Sequence, residues 1–454
     1  MSKPGRIIVV GGNAAGPAAA AKAKRVNPNA KVMLFEAGSY ISTGTCEIPY
    51  VLSGDIKDYE DIVFYSPESF LNKKGVQVFI NHRVEQIDRR NKSITVRDLL
   101  SDKLIEHIYD SLILTTGSLP KTLPGFNKEL KNLFQLKNVG DLIGLKNFLN
   151  NNQVQSAIII GSGYIGLEAA DALVKNKIEV TVIEREAVPI PTAESEISHK
   201  ALAELNNHSV RFIGGSKNLE PFIKNDEIVS VKCNDDLLDC DLVLLTVGIS
   251  PNNLLAVSAK LDVGSFGGIK VDKKLKTSDR NIYAAGDNIE FTNAITGRPD
   301  YFPFATYAHT FAHIAGENAA GSNVNAEPIV KNVSVKILGS YYASVGLNSN
   351  EATKNKFKTE TVSAEVSNLV KVMPESRSVF GKLIFDSESI TILGASFFGG
   401  SEVSGFADLV ASAIYSKQKI DFLTKISYNY TPPLSPFVNL LSVLGRKAVS
   451  KIRE

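Results

Sequence analysis

Short apolar runs closed by glycine recur along this chain. Residues 6–10 (RIIVV) read as a buried strand, and Gly11-Gly12-Asn13-Ala14-Ala15-Gly16 closes it. An alanine-rich stretch over 17–26 has helical spacing, and a second apolar run, 31–35, ends in Glu36. The pattern returns with 156–160 (SAIII), Gly161-Ser162-Gly163-Tyr164-Ile165-Gly166, a helix over 167–175 and a strand over 179–183 ending in Glu184. Continuous apolar strands alternating with helices predict parallel sheets covered on both faces. Runs at 111–116 (SLILTT) and 241–246 (DLVLLT) predict two more buried strands, and 277–287 a strand ending in Gly286-Asp287. Residues 62–74 and 306–320 read as helices. The segments 76–80, 84–88 and 93–97 read as a β-meander. From 328 onward, short strands (334–338, 380–385, 390–393) alternate with helices (406–416, 436–451).

Both glycine turns carry a dinucleotide fingerprint. In the first, Gly11 allows the tight turn, Gly12 and Ala15 line it, and Gly16 lets helix and strand touch. The helix N-terminus faces a pyrophosphate and Glu36 accepts from a ribose hydroxyl. Asn13 stands where the pattern has its middle glycine. The second turn is complete, with Gly161, Gly163 and Gly166. Glu184 at its strand end favours the free 2′-hydroxyl of NADH, while the adjacent Arg185 keeps NADPH open. Two such units imply two cofactors, or a cofactor and a hydride donor.

Pro-rich punctuation at 119–125 and at 251–252 marks crossings between units. The expected domains are 1–117, 118–249, 250–327 (returning to the first unit) and 328–454. A net charge of +2 over 454 residues gives no ground for a nucleic-acid partner. No apolar run reaches membrane-span length, and the N-terminus lacks a signal-peptide pattern, so a cytoplasmic protein is expected. Three scattered cysteines build no disulfide framework. Cys233 and Cys240 read as structural. His309 and His313, four apart on a helix, read as packed or surface residues without a third ligand, so no metal site is expected.

The remaining cysteine, Cys46, stands alone in Ile41-Ser42-Thr43-Gly44-Thr45-Cys46-Glu47-Ile48-Pro49-Tyr50, about ten residues past Glu36. With no cysteine nearby, redox chemistry there must alternate between a thiolate and a bond to an incoming group. A working thiolate calls for a pKa well below the free value.

The order of first fingerprint, lone cysteine, second fingerprint and T-S-x-x-x-I-Y-A-x-G-D resembles the flavoprotein disulfide reductases, over essentially the whole chain. That resemblance implies an α/β fold of two Rossmann-like FAD and NAD(P) domains plus a C-terminal α+β dimerisation domain. It implies that Asp287, after Gly286, binds the FAD ribityl chain, and that Thr116-Gly117 marks the flavin–NAD junction. Within the family, C-E-I-P-Y resembles the C-[AG]-[LI]-P-Y of the coenzyme A-disulfide reductases, and Tyr430-Thr431-Pro432-Pro433-Leu434-Ser435 resembles their terminal loop. The match implies a homodimer whose Tyr430 reaches the partner subunit's site. It also implies that Lys22 and Arg25 contact coenzyme A phosphates, with Ser42 and Tyr50 shaping the pocket. Glu47 departs from the family's small residue.

The implied activity is reduction of a coenzyme A disulfide or related small disulfide or persulfide. Cys46 would be the redox thiol, in mixed disulfide with coenzyme A at some stage, and Tyr430 would protonate the leaving thiolate. Tyr164 would cover the nicotinamide face, Ile165 would line that turn, and Glu168 would hold charge near the flavin. NADH oxidases and peroxidases, which cycle a lone cysteine through a sulfenic acid, are the alternative, together with reductases of another acceptor. The oxidases and peroxidases carry histidine in the first turn where this chain has Ala14.

Overall fold

The computed structural model describes residues 5–454. Two five-stranded parallel sheets form its base. In the first, the strands run Ile282–Ala284, Ser111–Leu114, Arg6–Val10, Lys31–Phe35 and Gln77–Phe79 across the sheet. In the second they run Leu133–Phe134, Leu242–Leu245, Ser156–Ile160, Glu179–Ile183 and Arg211–Ile213. Each central strand is buried from its second residue to its last, which is why the sequence shows unbroken apolar runs there. The helix Ala15–Val26 packs on Ala305–Ala319. A Cβ on Gly316 would stand 2.2 Å from the Ala19 carbonyl oxygen, so these alanine-rich helices meet backbone to backbone.

The first and second units are joined by a two-stranded antiparallel ribbon, Ser118–Pro120 with Ile249–Pro251. Each unit also carries a three-stranded meander: His82–Asp88, Ser93–Asp98 and Leu104–Ile108 on the first, Leu219–Lys224, Glu227–Cys233 and Asp236–Asp239 on the second. Two readings of the sequence differ from this. The run around 77–79 joins the parallel sheet as its edge strand instead of the meander. Within 62–74 the α-helix is confined to Pro67–Lys74; Ile62 ends a 3₁₀ turn, Val63–Tyr65 is a strand paired with Ile41–Thr43, and the Ser66 cap with Pro67 starts the helix after it.

The C-terminal unit is a five-stranded antiparallel sheet ordered Asn332–Ile337, Ser340–Gly346, Ile392–Gly399, Ser378–Asp386, Thr359–Ser367. Helices Glu402–Tyr415 and Leu440–Arg453 cover one face. Its other face shares a core with the second unit: Ile337, Tyr342, Phe380 and Phe398 cluster with Leu167 and Ala170, and with Ile48, Val51 and Leu52 just beyond Cys46. Across that seam Lys382 Nζ reaches Glu194 at 2.8 Å and Glu196 at 3.0 Å. Among the described residues no helix is long and apolar enough to cross a membrane.

Candidate active site

The two glycine turns close in the same way. A Cβ on Gly16 would lie 1.7 Å from the Gly11 carbonyl oxygen, and one on Gly166 would lie 2.1 Å from that of Gly161. Gly11 and Gly161 have φ of +105° and +103°, a left-handed conformation that glycine adopts freely. The helices that follow, Ala15–Val26 and Tyr164–Lys175, start without a side-chain cap, so their first N–H groups face outward at the carboxyl ends of the sheets. Each strand-end acid is drawn to its turn. Glu36 accepts from the N–H groups of Gly12 (2.5 Å) and Gly38 (2.6 Å). Glu184 accepts from the Ser162 N–H and hydroxyl, both at 2.8 Å, and from the Arg185 N–H.

Gly286 and Asp287 lie against the first turn: a Gly286 Cβ would approach that of Ala15 to 3.1 Å. Asp287 accepts from Ser118 Oγ at 2.9 Å and faces Lys137 Nζ at 3.4 Å. Thr116 donates to the Asn252 carbonyl at 2.6 Å, and Gly117 has φ +67°. Asn288 donates to Leu114 and Thr116, yet its Oδ1 is buried without a hydrogen-bond partner. An unmatched buried acceptor, two uncapped helix N-termini and an acid at each second strand end fit two dinucleotides.

Cys46 lies in a short 3₁₀ turn, Thr45–Glu47, continued by the helix Ile48–Leu52. This segment is fastened to both nucleotide units. Toward the first, the Ser42 N–H donates to the Gly12 carbonyl at 2.8 Å, and the Thr43 hydroxyl donates to Asn13 Oδ1 at 2.7 Å. Asn13, the departure from the glycine pattern, is thus the anchor for the thiol loop. Ser42 itself turns through φ +52°. Toward the second unit, the Tyr50 hydroxyl donates to Glu168 Oε1 at 3.2 Å. Asn176 donates to the Leu52 carbonyl at 2.8 Å, and Lys175 pairs with Asp55 at 2.5 Å.

The Cys46 sulfur is open to solvent on one side. The protein crowded around its other sides is the largest cause of a raised thiol pKa; Glu47, Glu168 and Asp287 raise it further, and Lys137 opposes them. The low thiol pKa expected from the sequence is therefore not supplied by these side chains. Burial also lifts the Glu168 carboxyl to about 7.

The other sequence candidates are distributed as follows. Tyr164 lies between Phe304 and Tyr342, with ring centroids 6.3 and 6.2 Å away, at the mouth of the second turn. Ile165 lines a groove of the second unit, beside the joining ribbon, with Pro120, Leu136, Lys137 and Thr246. Lys22 pairs with Glu317 at 2.7 Å. The His309 and His313 rings stand 4.4 Å apart, and burial, then His309, Arg25 and Lys22, hold the His313 pKa down. The two histidines therefore lie beside Lys22 and Arg25 across the paired helices, with Lys22 already matched by Glu317 and His313 held toward its neutral form, a convergence invisible along the sequence. Lys137 and Ser118 were likewise unforeseen. Tyr430 is about half exposed (49%) and meets Phe437 edge-on at 5.4 Å. Among the described residues no hydrogen bond or ring contact joins it to the Cys46 segment within one chain. Cys233 donates to Ser216 at 3.1 Å inside the core, and no metal-ligating cluster forms among the described residues.

Residues 5–309 match the pyridine nucleotide-disulphide oxidoreductase family, and residues 334–440 match that family's dimerisation domain. The chain belongs to this family. Among similar proteins is an NADH oxidase of Methanocaldococcus jannaschii, 27% identical and covering 98% of this chain and 99% of its own. A coenzyme A disulfide reductase of Staphylococcus haemolyticus is 28% identical, covering 98% and 99%. A solved NAD-dependent persulfide reductase from A. fulgidus superposes with a TM-score of 0.94 at 28% identity, covering 98% of this chain and 83% of its own. As a pyridine nucleotide-disulphide oxidoreductase, the chain brings its lone exposed thiol and its two dinucleotide turns to one place.

Proposed function

We propose that this chain is an FAD-dependent NAD(P)H oxidoreductase that reduces a coenzyme A disulfide or a related small disulfide through Cys46. The balance is NAD(P)H + H⁺ + RSSR → NAD(P)⁺ + 2 RSH. One observation carries the reading: the only exposed cysteine is hydrogen-bonded, through its own short segment, to the first glycine turn and to the helix of the second.

In this reading the first turn, with Gly11, Gly12, Ala15, Gly16, Glu36, Thr116, Gly117, Gly286 and Asp287, holds FAD. The second, with Gly161, Gly163, Tyr164, Ile165, Gly166, Glu168 and Glu184, holds NADH or NADPH. FAD, when bound, supplies the relay that turns a hydride into two electrons for the thiol. The chain's residues do the rest. Lys137, held by Ser118 and Asp287, is the positive group that favours the Cys46 thiolate. Glu168, near half-protonated at neutral pH, keeps Tyr50 and the thiol segment in register. Lys22, Arg25, His309 and His313 take substrate phosphates, and Ser42 and Tyr50 shape the sulfur pocket. Tyr430 acts as acid toward the leaving thiolate of the partner subunit's site, in a homodimer built through the C-terminal sheet. Ala14 offers no acid–base group in the first turn, which weighs against oxidase or peroxidase chemistry.

The test is Cys46→Ser. Flavin bleaching by NADH under anaerobic conditions should persist, and coenzyme A disulfide turnover should fall by at least about a thousandfold. Turnover that survives the substitution would reject the reading.

A further inference from the structure

Glu47 follows Cys46 directly, and its carboxylate folds back over the chain. A Cβ on Gly44 would meet Glu47 Oε2 at 2.5 Å and Oε1 at 3.2 Å. It is half-buried, and among the described residues it has neither hydrogen-bond partner nor counter-ion. The other acids here are engaged: Glu36 by Gly12 and Gly38, Asp287 by Ser118 and Lys137, Glu168 by Tyr50. Glu47, Glu168 and Asp287 all act on the sulfur as negative charge, against Lys137 alone. Lys22, which pairs with Glu317, and Arg25 lie elsewhere, on the helix Ala15–Val26 that packs on Ala305–Ala319.

We propose that Glu47 is a specificity-determining residue of the sulfur pocket. It admits substrates that are uncharged for the first few bonds around the reacting sulfur, and it disfavours those whose negative charge lies on that sulfur or beside it. This rests on the reading of Cys46 as the nucleophile of disulfide exchange. The Cys46 thiolate attacks one sulfur of RS–SR, the S–S bond breaks, RS⁻ leaves and takes up a proton, and Cys46–S–S–R remains. Two electrons from NAD(P)H then cleave that bond, restoring the Cys46 thiolate and releasing the second RS⁻, which takes up a proton to leave as RSH. A disulfide with amide-linked arms brings no charge to the attack. A persulfide or polysulfide anion brings a full negative charge to a sulfur that already feels the charge of the neighbouring Glu47 carboxylate, in a half-buried setting where the effective dielectric is below that of water. Charge on phosphates many bonds from the sulfur is spared, because the interaction with Glu47 falls with distance and is screened by salt.

The first probe is alkylation of Cys46 in the holoenzyme by neutral iodoacetamide and anionic iodoacetate, a pair of nearly equal size. Glu47→Gln should raise the iodoacetate/iodoacetamide rate ratio about tenfold, and Glu47→Asp should keep it near the wild-type value. The second is turnover with pantethine and with inorganic tetrasulfide. The tetrasulfide/pantethine ratio of kcat/KM should rise about tenfold in Glu47→Gln and shrink toward wild type in high salt. Ratios unchanged by Glu47→Gln in both probes would overturn the proposal. Alkylation needs no turnover: if the wild type reduces neither pantethine nor coenzyme A disulfide, the disulfide reading fails while the Glu47 ratio still gives its own answer.

Discussion

Two carboxylates beside one sulfur carry most of what single residues decide here. Among the described residues Glu47 is unpaired, whereas Glu168 is buried and bonded to Tyr50, with its pKa lifted to about 7 from an ordinary 4.5. A carboxyl raised in this way keeps its proton in the folded chain at pH values where the unfolded chain has released it. The contribution of Glu168 to folding stability therefore declines as pH rises from about 4.5 to about 7, then levels off. Glu168→Gln removes that titration. Between pH 5 and pH 8 the variant should lose about 2–3 kcal/mol less than wild type in urea midpoints, other groups titrating alike. Equal losses would place Glu168 in a wetter setting than its burial indicates. Cys46 was legible in the sequence because it stands alone between two fingerprints. Lys137 was not: it meets Asp287 only because the ribbon at Ser118 brings the second unit back over the first. His309 and His313 were seen as a pair, but their partners Lys22 and Arg25 lie on another helix.

At the scale of elements, the two βαβ turns were the easiest to read, since geometry leaves no latitude at Gly16 and Gly166. Their variants should separate the two nucleotide sites. Gly16→Ala places a methyl 1.7 Å from a backbone oxygen and should cost about 3 kcal/mol or more, the purified protein losing its flavin absorbance. Gly166→Ala should keep the flavin and slow its bleaching by NADH at least about tenfold. A fully flavinated Gly16→Ala protein would contradict the first assignment. Elsewhere the sequence misled where pairing is long-range. Val63–Tyr65 is a strand because Ile41–Thr43 lies beside it, and Ser340–Gly346 and Thr359–Ser367 went unread because antiparallel neighbours, more than their own composition, fix them. The helix expected from 436 begins at Leu440, capped by Asn439.

At the scale of the whole molecule, the chain holds a match to a dimerisation domain and a tyrosine loop that meets no thiol of its own. If Tyr430 serves the partner's site, Cys46→Ser and Tyr430→Ala proteins, each impaired alone, should complement after subunit exchange. A 1:1 mixture should recover roughly a quarter of wild-type coenzyme A disulfide turnover, since half the dimers are mixed and each carries one intact site. No recovery despite exchange, followed by mass, would leave Tyr430 serving its own subunit or none.

The thiol segment is stitched to the second unit at Tyr50, Leu52 and Asp55, and on its far side Lys382 clamps that unit to the C-terminal sheet. Gripped from both flanks, the nicotinamide-binding lobe has no hinge left to swing on without dragging the sulfur along. In the proposed reading, a hydride donor then enters a slot already formed, past side chains such as Tyr164, and lobes are not prised apart. On that reading the moving part is a single aromatic ring, wedged between Phe304 and Tyr342, and the lobes stay still.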